Sequence, residues 1–185
     1  IKALPATPAL VHDIAEKLPG ASPARPFLAA AIFLSRFDRG IDLSPSERIE
    51  RNRWLAEFES DTSRSKPISF YNSTEELRSI WKTNRYLQTE LGVFRGDMER
   101  QKKELLIADD IAAVFRSDRQ ISKEYRKVLD FNRSLTNPPA CISIDNLIHR
   151  GGKSLGQIAL QLGVRRPTIA FLPPSTTRET EIITA

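Results

Sequence analysis

Apolar side chains recur along most of the chain three and four residues apart, which is the spacing of one face of an α-helix. In the first sixty residues this pattern occurs in three short segments that proline and glycine separate. The first segment stops at Pro19-Gly20, the second is the nearly uninterrupted apolar run 26–37, and the third begins at a capping box between Ser44 and Glu47. Such a box satisfies the free N–H groups of a first helical turn. The pattern therefore predicts three short helices.

Three longer amphipathic patterns follow, and each begins at a residue type that caps helices: Ser73, Asp97 and Ser122. Gly92 ends the first of them, and the proline pair that starts at Pro138 ends the third. A helix with one apolar stripe is stable only when that stripe is buried against a neighbour. These three segments are therefore expected to pack as a helical bundle or as helical hairpins.

Beyond residue 140 the pattern changes to short apolar segments separated by glycines and proline pairs. Only residues 141–144 resemble a strand, and the stretch is very short. The sequence thus predicts an all-α fold, a helical bundle or helical hairpins with irregular, extended termini. Three regions are expected: short helices in 1–60, long amphipathic helices in 61–140, and a basic region in 141–185 that contains a helical hairpin and an extended tail.

Composition places the chain among ordinary globular proteins. Of its 185 residues 40% are apolar and 28% are charged. The longest apolar stretch, residues 27–34, is about half of what a bilayer requires, so no membrane span is expected. The single cysteine, Cys141, excludes an internal disulfide framework, and with only two histidines it argues against a zinc site of the usual kind. We therefore expect no metal and no cofactor.

The placement of charge is more informative than its total. The chain holds 28 Lys and Arg against 23 Asp and Glu, a net of +5. Residues 1–60 are balanced, whereas residues 146–178 contain no carboxylate. That stretch holds five cations: Arg150, Lys153, Arg165, Arg166 and Arg178. It is the first candidate for contact with a polyanion or an acidic partner, and the alternative is an ordinary solvated surface.

Residues 155–172, LGQIALQLGVRRPTIAFL, carry a more specific pattern. Ala159 is small enough for two helices to cross closely, Gly163 suits a turn, and four apolar positions would lock the pair: Ile158, Leu162, Val164 and Ile169. The segment resembles the helix-turn-helix of repressor-type DNA-binding proteins. That resemblance implies a recognition helix beginning with Arg165, Arg166 and Thr168. Together with Arg150 and Lys153, these are the candidate nucleic-acid-binding residues.

Aromatic and basic residues also interleave between positions 70 and 95. The aromatic members are Phe70, Tyr71, Trp81, Tyr86 and Phe94, and the basic members are Arg78, Lys82, Arg85 and Arg95. Such a mixture can bind single-stranded nucleic acid by base stacking and phosphate contact. The alternative is that the rings belong to a helix core and that the cations line its rim.

Candidate catalytic groups are few. Cys141 and His149 are the one nucleophile and base that could approach each other, and no catalytic motif surrounds either of them. We therefore expect a non-catalytic protein.

The leading hypothesis is a helical interaction or structural subunit of a larger assembly, such as a ribonucleoprotein or an organellar complex. Its partners would be other protein subunits and RNA or DNA. One alternative is a DNA-binding protein that uses residues 155–172, and a second is an enzyme whose site is not visible in the sequence. A soluble, intracellular protein is expected, and the start at Ile1 rather than Met fits an organellar protein whose targeting segment has been removed.

Overall fold

The computed structural model describes residues 7–175, apart from the side chain of Leu135. It is 64% helical with one two-stranded parallel sheet, which confirms the all-α prediction. The expected extended termini concern residues 1–6 and 176–185 as well, and these lie outside the described range. Among residues 7–175 no helix is both long enough and apolar enough to cross a membrane.

The chain forms two compact units, residues 1–89 and 90–185. Sequence patterning places its boundaries after residues 60 and 140 instead. The division falls inside the predicted middle region because the first of the three long helices packs with the N-terminal helices, whereas the other two are in the unit that contains the strands.

Within residues 7–89, all regular secondary structure of the N-terminal unit is helical. Its helices are α1 (Thr7–Lys17), α2 (Ala24–Ser35), α3 (Pro45–Ser60), α4 (Thr62–Ser65) and α5 (Glu75–Leu87), with a 3-10 turn at Ser69–Asn72. The helix α2 contains the apolar run that the sequence marks as buried, and it packs against α1, α3 and α5. The three short helices predicted before residue 60 are thereby confirmed.

Aromatic side chains fill the core of this unit. Phe27 of α2 contacts Trp54 and Tyr86, with ring centroids 5.2 Å apart in each pair. The Tyr86 hydroxyl donates a hydrogen bond of 3.0 Å to the Phe27 carbonyl, so its polar end is satisfied in the core. The capping box at Ser44 and Glu47 forms as expected, because each side chain bonds the backbone N–H of the other residue.

The C-terminal unit combines helices with the small sheet. Its elements are α6 (Met98–Ser117), α7 (Arg119–Leu135), β1 (Cys141–Ser143), a 3-10 turn at Ile144–Leu147, α8 (Leu155–Leu162) and β2 (Arg166–Ala170). The helix α7 begins at Arg119 rather than near Ser122, because the Asp118 side chain accepts hydrogen bonds from the N–H groups of Gln120 and Ile121. Asp118 is also the C-cap of α6, so one residue joins the two helices.

The second helix of the expected helix-turn-helix does not form. Gly163 ends α8 in a left-handed conformation with φ of 66°, as the pattern predicts, but residues 166–170 then form β2. This strand pairs in parallel with β1, and Ile169 also bridges Leu91. The β-branched residues Thr168 and Ile169 favour a strand over a helix. The recognition helix is therefore a wrong prediction for this segment.

Candidate nucleic-acid interface

The four described cations of the stretch 146–178 do not form an unpaired cluster. Arg166 forms an ion pair of 2.7 Å with Glu90, and Arg150 lies 3.7 Å from Asp109. Thus the carboxylates that the stretch 146–178 lacks come from outside it. Lys153 donates a hydrogen bond of 3.1 Å to the Gln161 side-chain oxygen. Arg165 is exposed and has an interaction of its own. Arg178 lies outside the described residues.

Thr168 belongs to the same ion-paired group. Its hydroxyl donates a hydrogen bond of 2.6 Å to Glu90, the carboxylate that also binds Arg166. Glu90 therefore binds two side chains of β2, Arg166 and Thr168, which the helix-turn-helix resemblance places on a recognition helix. Their observed contacts are internal to the C-terminal unit.

Cys141 is buried in β1, whereas His149 is exposed. Burial, reinforced by the charge of Glu90, raises the pKa of the Cys141 thiol to about 12, and Arg166 and Thr168 only partly oppose this shift. A nucleophilic cysteine requires the opposite change, since the thiolate is the reactive form. The hypothesis of a Cys141–His149 pair thus has no support in this arrangement.

The aromatic and basic stretch separates into different environments. Phe70, Tyr71 and Trp81 do meet, with ring centroids 5.9 Å apart for the first pair and 5.1 Å for the second. Tyr86 instead lies in the core of the N-terminal unit, and Phe94 belongs to the other unit. The associated cations mostly have carboxylate partners: Arg78 pairs with Glu75, Lys82 with Glu59 and Arg95 with Glu104.

A different group of cations surrounds an open cavity of about 570 Å³ in the C-terminal unit. Its lining includes four permanent cations, Arg116, Arg119, Lys123 and Arg126. The rest of the lining is Phe115, Ser122, Ile148 and His149. These eight residues are called the basic cavity below, and none of them is a carboxylate.

The helices α6 and α7 and the segment after the 3-10 turn Ile144–Leu147 each contribute residues to the lining of the basic cavity. On α7, positions 119, 122, 123 and 126 fall on one face because they are three, four and seven residues apart. Arg116 lies in the last turn of α6, and its guanidinium donates to the Leu147 carbonyl at 3.5 Å. That contact joins α6 to the segment that carries Ile148 and His149.

Packing below the basic cavity fixes α7 in place. Phe115 is buried and stacks on Tyr125 at 4.5 Å between ring centroids. Tyr125 is fully buried, and its hydroxyl donates a hydrogen bond of 2.6 Å to the Phe171 carbonyl. Because the apolar side of α7 is anchored in this way, its basic side is held facing the solvent.

Three of the four permanent cations of the basic cavity have no partner among the described residues. Arg119, Lys123 and Arg126 make no hydrogen bond or ion pair with any residue that the structure describes. Each of the other lysines and arginines in 90–175 takes part in at least one such bond or electrostatic interaction. The carboxylates nearest along α7 are engaged, since Asp118 caps the helix and Glu124 binds Lys127 and Gln120. The positive charge at the basic cavity is therefore not neutralised locally.

The net charge of long blocks of sequence does not reveal this site. Residues 61–135 have a net charge of only +3, whereas residues 116–127 hold five cations against two carboxylates. The helical spacing of 116, 119, 123 and 126 was a usable signal. His149 and Ile148 could not have been assigned to the site, because only the tertiary fold brings them to α7.

No group of three or more His, Cys, Asp or Glu side chains within residues 7–175 could hold a metal ion. In comparisons with known proteins, no family model, no curated protein and no solved structure gave a significant match to this chain.

Proposed function

We propose that this chain is a non-catalytic helical binding subunit that holds a nucleic acid by its phosphates in the basic cavity. The observation that carries the proposal is the convergence of Arg119, Lys123 and Arg126, three cations without partners among the described residues, on one concave surface. Placing like charges together without carboxylates opposes folding, so a bound anion would offset their repulsion.

The composition of the cavity favours nucleic acid over an acidic protein as the partner. Interfaces with nucleic acid are more polar and more positively charged than interfaces between proteins. The exposed lining here is supplied by arginine, lysine and histidine, while Phe115 is buried. Guanidinium groups bind phosphate oxygens in pairs, and lysine adds a point charge.

Association with protein subunits is the second part of the proposal. Its support lies in the N-terminal unit, where Ile68, Phe70 and Tyr71 expose large apolar side chains near the turn before α5, with Phe70 68% exposed. Clustered exposed apolar groups are typical of surfaces that bind proteins.

Fluorescence anisotropy with a labelled single-stranded RNA of about 20 nucleotides tests the nucleic-acid proposal. We expect the double variant Arg119→Ala/Lys123→Ala to bind roughly tenfold more weakly and to reduce the salt slope by about 1.4, since two phosphate contacts are lost. The matched control is Lys127→Ala/Arg133→Ala, which removes two cations of the same helix that have carboxylate partners. Equal losses in both double variants, or no binding by the unsubstituted protein, would contradict the proposal.

A second comparison separates this site from the one that the sequence predicts. Arg165→Ala/Arg166→Ala removes two cations of the 155–172 segment. We expect RNA and duplex DNA affinities to change less than threefold, because Arg166 is already paired with Glu90. A loss larger than that of the Arg119 and Lys123 variant would favour the helix-turn-helix segment instead.

A further inference from the structure

The unpaired cations of the C-terminal unit are concentrated in one place rather than spread along a path. A groove that follows a nucleic-acid strand presents cations over several successive nucleotides. Here Arg119, Lys123 and Arg126 all line the same cavity, and the other lysines and arginines of residues 90–175 have interactions of their own. The arrangement thus fits a single concentrated anion better than a long run of singly charged phosphodiesters.

The charge and the donor groups of the basic cavity match a phosphomonoester. A phosphate inside a strand carries one negative charge, whereas a terminal phosphomonoester carries about 1.5 to 2 near neutral pH and offers three oxygens. Four permanent cations face the basic cavity, and the Ser122 hydroxyl and the His149 ring add further hydrogen-bond donors to its lining.

The lining of the cavity comes from three segments of the C-terminal unit. Cations of α7 and Arg116 of α6 form one part of the lining, while Ile148 and His149 come from the segment after the 3-10 turn Ile144–Leu147. A terminal group can enter such a concave site, whereas an internal phosphate would have to bring the strand in and out again. We infer that the basic cavity binds the terminal phosphomonoester of a nucleic-acid strand, an inference that rests on the proposed function.

The experiment compares RNAs of one sequence, about 20 nucleotides long, that differ only in their ends: a 5′-phosphate, a 3′-phosphate, or hydroxyls at both ends. We expect the unsubstituted protein to bind one of the phosphorylated strands about tenfold more tightly than the hydroxyl strand. The preferred end identifies which terminus enters the cavity. Millimolar inorganic phosphate should reduce this preference, since it carries the same group without a strand.

Two single variants connect the preference to the basic cavity. In Lys123→Gln and in His149→Ala the preference should fall below about threefold, while binding of the hydroxyl strand changes less. Lys127→Ala is the control and should keep the full preference, because Lys127 is paired with Glu124 outside the cavity lining. Both variants alter exposed side chains, and circular dichroism verifies that the fold is retained.

The outcomes distinguish the two proposals. If no RNA binds, the proposed function fails and this inference fails with it. If all three strands bind equally and Arg119→Ala/Lys123→Ala weakens them equally, the proposed function stands and the terminal-phosphate inference is overturned. If the preference exists but survives in both cavity variants, the terminal phosphate binds elsewhere, and the inference is overturned as well.

Discussion

The buried position of Cys141 favours the protonated form of its thiol. Burial and the nearby charge of Glu90 raise the pKa of the thiol to about 12, far above its ordinary value of 9.0. The folded protein therefore binds this proton more tightly than the unfolded chain does. The stability that follows is fully present below about pH 9 and is lost as the pH rises toward about 12.

The prediction for Cys141 is slow reaction with thiol reagents. Near pH 8 in buffer, we expect modification by an aromatic disulfide to be at least about 100-fold slower than in denaturing urea, because the folded thiol is both buried and protonated. Absorbance of the released thiolate measures the rate. The Cys141→Ala variant gives the background, and a fast reaction in buffer would show that the thiol is accessible.

Single residues also explain the limits of the sequence prediction. The carboxylate partners of Arg166 and Arg150, which are Glu90 and Asp109, lie 76 and 41 positions away along the chain. Counting charge within a segment cannot detect such pairs, since they depend on the tertiary fold.

At the scale of elements, local patterns locate most helices and the short strand β1 but not the strand β2. Apolar spacing and capping residues identify α1, α2 and α3, because those signals act within a few neighbouring residues. The strand β2 instead depends on pairing with β1, which precedes α8 in the sequence. It also depends on the bridge between Leu91 and Ile169. The glycine turn at Gly163 is equally compatible with a following helix or a following strand.

A substitution at Thr168 tests whether this residue of β2 stabilises the fold or contacts nucleic acid. Thr168→Val keeps a β-branched side chain but removes the hydroxyl that donates to Glu90 at 2.6 Å. We expect the free energy of unfolding to fall by about 1.5 to 3 kcal/mol, the range for a hydrogen bond to a charged group. Urea denaturation measures the loss, and RNA affinity should stay within about twofold.

The opposite result would be equally informative. If Thr168→Val leaves the urea midpoint unchanged but weakens nucleic-acid binding, Thr168 contacts the ligand and the sequence-predicted role is restored. Thr168→Ser is the matched control, because it keeps the hydroxyl while it removes only the methyl group.

At the scale of the whole molecule, both units expose large apolar side chains, and the proposed nucleic-acid site lies in one of them. Residues 1–60 of the N-terminal unit are electrically balanced, and that unit exposes Phe33, Ile68 and Phe70. The C-terminal unit contains the basic cavity. In our proposal, nucleic-acid contact belongs to the second unit because it contains the basic cavity, and protein contact belongs to the first because Ile68, Phe70 and Tyr71 expose apolar side chains close together in sequence.

Hydrogen exchange on the intact chain tests this assignment. Addition of saturating RNA should slow amide exchange in peptides that cover residues 115–126 and 145–150, since a ligand that binds only the native state suppresses opening of its own site. Peptides from α1 to α3 should change little. Protection confined to the N-terminal unit would contradict the division of roles.

The single-residue joint between α6 and α7 restricts how the chain can change in length. Asp118 is the C-cap of α6 and the N-cap of α7, so it is the only residue between the two helices. One inserted residue inside α7 near its start would turn every later side chain by about 100° around the helix axis. The cations would then leave the cavity at the same time as Tyr125 lost its core position. Insertions and deletions at this joint should therefore be far more damaging than most single substitutions there.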